Sequence, residues 1–151
     1  MTRQRNDEHG TELGLWLRAD EQESTIGSRL GYRATNIDYV WDNYKTGHFF
    51  HLEEKRYMAR PTPAQLDVFL RENDKFKEDP KYHGFYIIRF EKTDPDDGKL
   101  FLSRVEHWKK DFEEWPPGTG HKRCFTTLAD SSAEKEISKT DFLRLLTFTY
   151  S

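Results

Sequence analysis

Several features are scarce or missing in this chain, and each absence argues against one class of protein. A single cysteine, Cys124, excludes an intrachain disulfide among the 151 residues. No apolar run approaches the roughly 20 residues that a membrane-spanning helix needs. Residues 1–10 lack the apolar stretch of a secretory signal. We therefore expect a protein of the reducing cytoplasm that has no membrane partner.

Common metal and phosphate motifs are also missing. The chain has no Cys-x-x-Cys or His-Glu-x-x-His pattern, so its six histidines do not predict a zinc site. His48 and His51 are three positions apart, and on a strand their side chains point to opposite sides. The glycines of residues 118–122 lack the spacing of a phosphate-binding loop.

The chain contains many charged and aromatic residues. Charged residues of both signs make up 34% of the chain and aromatic residues 15%, which is typical of one folded domain whose core is rich in rings. The net charge of −3 argues against a protein that binds nucleic acid mainly through phosphates. It argues less against a metal-dependent nuclease, because a bound cation offsets the charge of its own carboxylates.

Hydrophobic periodicity predicts the order of elements in the first half of the chain. Residues 1–10 are expected to form a flexible tail, and residues 11–151 a single domain. Helical spacing predicts a short helix over 11–19. Alternation then predicts a strand from 36 to 42, a turn, and an antiparallel strand over 48–57.

The second half adds two helices and a hairpin. Thr62 is the predicted N-cap of a helix that continues to Phe76, and Gln65 completes a capping-box spacing. The apolar residues that this helix is expected to bury are Leu66, Phe69 and Leu70. A hairpin over 84–106, a short strand over 124–128 and a helix from Ser138 with an apolar face follow. This order predicts an α/β fold with a mixed central sheet flanked by helices.

An acidic residue, Asp38, lies on the first predicted strand, and an acid-x-lysine segment lies at the end of the second. If the turn near Gly47 closes a hairpin, Asp38 falls roughly opposite Glu53, and a bulge or splayed strands would bring both carboxylates to one cation. Glu53 and Lys55 are two positions apart and share a strand face, whereas Glu54 points to the other face. A solvated surface charge run is the alternative interpretation of the same residues.

This combination suits hydrolysis of a phosphodiester bond. Carboxylate and carbonyl oxygens favour Mg²⁺ or Mn²⁺, so Asp38, Glu53 and the backbone carbonyl of Glu54 are the predicted ligands. The cation would lower the pKa of a bound water. Lys55 would orient or help to deprotonate that water, or stabilise charge in the transition state.

The segment resembles the PD-(D/E)XK, or restriction-endonuclease-like, nuclease superfamily, and in particular its small phage and prokaryotic members. The motif residues are Asp38 in NIDYVW and Glu53-Glu54-Lys55 in FFHLEEK, and several branches also carry a glutamine that matches Gln65 in TPAQLDVF. The resemblance implies a restriction-endonuclease-like core, a magnesium-dependent endonuclease acting on DNA, Gln65 as a residue that positions water, phosphate or the lysine, and a homodimer.

The resemblance has two departures. Ile37 stands where the superfamily carries its naming proline. A further glutamate often lies on an N-terminal helix, and both Glu12 and Glu23 are candidates for it.

Two alternatives to an enzyme stay open at this point. The chain could be a non-catalytic nucleic-acid- or protein-binding module that keeps the nuclease fold. It could also be an interaction protein that uses the aromatic surface of residues 107–125. In that region Trp108, Phe112 and Trp115 could stack on unpaired bases, or form core or a partner surface.

Overall fold

The structure, a computed structural model, describes residues 23–26, 30 and 35–150. Contacts divide the chain into two units, Met1–Asn36 and Ile37–Ser151. In the first unit the described helix is α1, Glu23–Ile26. The predicted tail over 1–10 and helix over 11–19 lie outside the described residues. Among the described residues, no helix has the length and apolar character needed to cross a membrane.

The second unit is a small α/β domain with a mixed sheet. Its strands are β1 Tyr39–Asp42, β2 Phe49–Lys55, β3 Tyr82–Phe90, β4 Leu100–Arg104, β5 Trp108–Glu114, β6 Lys122–Leu128 and β7 Lys135–Ile137, and its helices are α2 Pro63–Phe76 and α3 Lys139–Leu146. Five strands form one sheet in the order β1-β2-β3-β4-β7, and β5 and β6 form a separate ribbon. Only β2 and β3 pair in parallel within the larger sheet, because α2 carries the chain back between them.

Helix α2 begins as its sequence predicts. The Thr62 side chain accepts a hydrogen bond from the Gln65 N–H (3.1 Å), and the Gln65 side chain accepts one from the Thr62 N–H (3.0 Å). Leu66 and Phe69 are buried, as expected, but Leu70 is 37% exposed and its predicted burial is wrong. Leu70 follows Phe69 by one residue, which is a rotation of about 100° around the helix and away from the sheet.

Two apolar cores cover the two faces of the larger sheet. On one face α3 contributes Leu145 to a cluster that includes Phe50 and Leu52 of β2. On the other face α2 packs Leu66 and Phe69 against a cluster whose other members are Phe85, Ile87, Val105 and Trp108. Because successive strand residues alternate between faces, His51, Glu53 and Lys55 lie on the α2 face of β2.

The first and last residues of the predicted strands differ from those observed. Asp38 lies in a bend just before β1 rather than within a strand, and all four residues of β1 are exposed. Strand β2 ends at Lys55 instead of residue 57, because Tyr57 and Met58 have positive φ angles of 55° and 56° that no strand can continue.

The first strand of the ribbon is absent from the elements predicted from the sequence, whereas its second strand was predicted in part. Strand β5 occupies Trp108–Glu114, and its partner β6 starts at Lys122, two residues before the predicted strand. In β5 the charged residues Lys110 and Glu114 share a face with Trp108 and Phe112, so neither a helical nor an alternating strand pattern stands out. The short edge strand β7 was also not predicted.

Candidate active site

Glu53 lies near the end of β2 on the α2 face and is only 3% exposed. Tyr39 pairs with Leu52, so the register places Asp38 directly opposite Glu53. The Asp38 N–H donates to Glu53 Oε1 (3.2 Å), and the Glu54 N–H donates to Asp38 Oδ2 (2.9 Å). The predicted opposition of the two acids is therefore confirmed, and a bend at Asp38 brings them together.

Lys55 connects the acidic pair to helix α2. Its Nζ lies 3.4 Å from Glu53 Oε2 and donates to Gln65 Oε1 at 2.7 Å. The same Gln65 oxygen also accepts the Thr62 N–H that caps the helix, so the cap fixes the amide in place. The structure thus brings all four predicted site residues, Asp38, Glu53, Lys55 and Gln65, into one continuous chain of contacts.

Burial dominates the electrostatics of this cluster. The pKa of Glu53 rises from 4.5 to about 7, first because its carboxyl is buried and second because the Asp38 carboxylate is adjacent. The Lys55 ammonium and the hydrogen bonds from Lys55 and the Asp38 backbone oppose that rise. Two carboxylates this close, one of them desolvated, gain from a shared cation.

The donor set fits a hard divalent cation. Asp38 and Glu53 supply carboxylate oxygens at adjacent positions. The N–H and carbonyl of a strand residue point to the same side, and the Glu54 N–H points to Asp38, so its carbonyl faces that side too. Within the described part of the chain, no group of three or more His, Cys, Asp or Glu residues could hold a metal. Mg²⁺ ordinarily keeps several waters and uses one or two carboxylates, which matches this set.

The side chain of Glu54 belongs to a different surface. Its Oε1 lies 3.9 Å from Arg56 Nη2. The side chain also lines a cavity of about 300 Å³ on the α3 face, together with Tyr39, Trp41 and Leu52. The proximity of this carboxylate is the main cause that raises the pKa of Tyr39. The expectation that Glu54 points away from Glu53 is confirmed, and only its backbone can serve the acidic pair.

His51 shares the strand face of Glu53 but is part of the core. It is 4% exposed, its Nδ1 lies 3.0 Å from the Tyr82 hydroxyl, and its ring stacks on Phe85 at 5.1 Å between centroids. Burial lowers its pKa, which keeps the ring neutral. These contacts account for His51 as a packing residue.

An ion pair that was not predicted from the sequence supports the polypeptide turn that follows Lys55. Arg89 is 9% exposed and makes two 2.7 Å hydrogen bonds to Glu134. It also donates to the Met58 carbonyl (2.8 Å), which fixes the turn that follows Lys55. A charged residue inside the apolar run GFYIIRF breaks the strand pattern, and that is the signal that could have revealed it.

The candidates for a third carboxylate lie outside the described parts. Glu12 lies among the undescribed residues, and Glu23 begins α1 with an undescribed side chain. Comparison of the chain with protein-family models, curated proteins and solved structures gave no match.

Proposed function

We propose that this protein is a metal-dependent nuclease that hydrolyses phosphodiester bonds in DNA. The observation that carries the proposal is the chain of contacts from Asp38 through Glu53 and Lys55 to Gln65. Two carboxylates, a lysine and an orienting amide meet at the end of one strand. A solvated charge run does not account for them, because Glu53 is buried.

The carboxylates of Asp38 and Glu53, with the Glu54 carbonyl, would hold Mg²⁺, and Mn²⁺ would substitute. When bound, the cation would lower the pKa of a water molecule and neutralise charge on the phosphate. Burial beneath α2 excludes bulk water from Glu53, so its interactions with positive charge are strong. The hydrogen bond from the Asp38 N–H fixes the orientation of the Glu53 carboxyl.

Lys55 is positioned to act on the attacking water or on the phosphate. An ammonium group has three donors. One points to Gln65 and a second faces Glu53, which leaves one for the water or a phosphate oxygen. Gln65 holds the Nζ by its amide oxygen and is in turn fixed by the helix cap. We therefore assign Gln65 a positioning role.

The proposal extends to the fold. An antiparallel β1–β2 pair, a crossover through α2 and a parallel β2–β3 pair place the acid, the acid-x-lysine segment and the glutamine together. This arrangement supports a restriction-endonuclease-like core.

Cleavage assays on a substrate panel test the proposal. Purified protein is incubated with linear duplex, single-stranded DNA, a branched junction and RNA, in Mg²⁺, Mn²⁺ or EDTA. We expect metal-dependent cleavage that Asp38→Ala, Glu53→Ala and Lys55→Ala each abolish while circular dichroism shows a folded chain. Glu54→Gln is the matched control, since its carboxylate faces the opposite side of the sheet.

Two results would contradict the proposal. If Lys55→Ala cuts as well as the wild type, the assigned mechanism is wrong. If no substrate is cut and calorimetry detects no Mn²⁺ binding, the chain is a non-catalytic module, which would tolerate Glu53→Gln without loss of function.

A further inference from the structure

Tyr57 follows Lys55 by two residues and has an unusual conformation. Its backbone is left-handed (φ 55°, ψ 36°), and Met58 beside it also has a positive φ of 56°. Bulky side chains rarely adopt this region because it brings them against the backbone. The ring is 69% exposed, so burial does not compensate for the strain. Such strain persists only where surrounding contacts impose it, and it concentrates at functional sites.

The surrounding contacts are present. The Tyr57 N–H donates to the Lys92 carbonyl (3.1 Å), and Arg89 donates to the Met58 carbonyl (2.8 Å). Glu134 in turn holds Arg89 by two hydrogen bonds. The fold thus fixes the backbone that carries an exposed aromatic residue two positions after the lysine of the candidate site.

The β5–β6 ribbon is fixed to the start of α2. Thr126 Oγ1 donates to the Pro61 carbonyl (2.6 Å), Arg60 donates to the Thr126 carbonyl (3.4 Å), and Lys110 Nζ lies 3.1 Å from Asp67 Oδ1. These contacts flank Gln65, so the ribbon lies beside the helical turn that holds Lys55.

Beyond these contacts the ribbon presents two further rings. The Phe112–Cys124 pair is two positions nearer the ribbon tip than the Lys110–Thr126 pair and is therefore on the same face. Phe112 is 62% exposed. Trp115 is 52% exposed, with the Arg123 guanidinium 4.4 Å from its ring centroid.

Cations accompany the rings. The exposed basic side chains of these segments include Arg56, Arg60, Lys109, Lys110, Lys122 and Arg123, of which Arg56 faces Glu54 and Lys110 pairs with Asp67. Two ribbon carboxylates already have partners, since Glu113 pairs with Arg123 and Glu114 accepts the Gly120 N–H. Exposed rings interleaved with cations form the kind of surface that binds unpaired nucleotides, because bases stack on rings and phosphates contact the cations.

We infer that Tyr57 and Phe112 stack on unpaired bases, and that the substrate is single-stranded DNA at the bond that is cut. This inference rests on the proposed function and specifies its substrate class. A fully paired duplex keeps its bases stacked on one another and gives the rings no free base face.

Binding without cleavage tests the inference. Fluorescence anisotropy with a labelled oligothymidine, and with a duplex of equal length, is measured in EDTA at fixed salt. We expect the single strand to bind more tightly than the duplex. Tyr57→Gly should weaken single-strand binding about 5- to 150-fold, the range that loss of one stacked base gives. Phe112→Ala should cause a loss of the same order.

The glycine variant separates binding from folding. Glycine accepts a positive φ without strain, so Tyr57→Gly should raise the melting temperature while it lowers affinity. Tyr57→Phe keeps the ring and should keep the affinity. Tyr44→Ala is the control, because Tyr44 is 86% exposed in the turn at the far end of β2, about 20 Å from Lys55 by strand length.

Two outcomes would overturn the inference. One is unchanged single-strand affinity in Tyr57→Gly, and the other is tighter binding of the duplex than of the single strand. Because these measurements need no cleavage, a protein that neither cuts any substrate of the panel nor binds Mn²⁺ would refute the nuclease proposal and leave the binding result standing. Conversely, cleavage that persists with unchanged affinity in Tyr57→Gly would refute only the stacking role.

Discussion

The raised pKa of Glu53 makes the stability of the metal-free protein depend on pH. The folded state keeps a proton on Glu53 up to about pH 7, whereas the unfolded chain releases it near 4.5. Stability from this proton is therefore fully present below pH 4.5 and is lost as the pH rises through 7. The difference between a pKa of 4.5 and one of about 7 corresponds to about 3 kcal/mol of stability.

The substitution Glu53→Gln mimics the protonated side chain and removes this titration. At pH 5 the variant should be more stable than the wild type by less than about 1 kcal/mol, and at pH 8 in EDTA by about 3 kcal/mol, or about 10 °C in melting temperature. Urea unfolding at pH 5, 6, 7 and 8 measures the difference. Glu54→Gln, the adjacent carboxylate on the opposite face, should leave the pH dependence of the wild type unchanged.

Added Mn²⁺ provides a second arm of the same experiment. A cation that binds the ionised Glu53 should restore wild-type stability at pH 8 and should do little for Glu53→Gln. Parallel stability curves for wild type and Glu53→Gln between pH 5 and 8 would refute the reasoning, because the buried carboxyl would then not carry the proton assigned to it.

Three further perturbations follow from the contacts. Gln65→Ala should lower the cleavage rate, and it should also lower stability by about 1 kcal/mol because the helix cap is lost. Gln65→Glu should keep the cap and still alter cleavage. A cleavage rate and a melting curve for each variant distinguish the two effects. Arg89→Met should destabilise the fold by about 3–5 kcal/mol in urea unfolding, because it leaves Glu134 buried and unpaired. Adding Glu134→Met to the same chain should recover most of that loss. An equal loss of stability in the single and double variants would contradict the pairing. Phe69→Ala should cost about 3–5 kcal/mol by opening a cavity against the sheet, and a loss below about 1 kcal/mol would show that the core collapses around it.

Much of the local structure could be predicted because local rules determine it. The Thr62–Gln65 capping box and the hairpin of β3 and β4 follow from residues close in sequence. Strand β6 was predicted in part, over 124–128, whereas β5 could not be predicted, because charged residues lie on both of its faces. Lys110 pairs with Asp67, more than 40 positions away, and no periodicity signals such a contact.

The sequence by itself determined which site residues share a strand face. Backbone alternation alone puts Glu53 with Lys55 and turns Glu54 away, and hairpin closure sets Asp38 opposite. Only the tertiary structure decided that Glu53 is buried, that Gln65 reaches Lys55, and that Tyr57 is held in a left-handed turn. These outcomes depend on the packing of α2 and β3 against β2, because burial and long-range contacts arise only when distant segments of the chain meet.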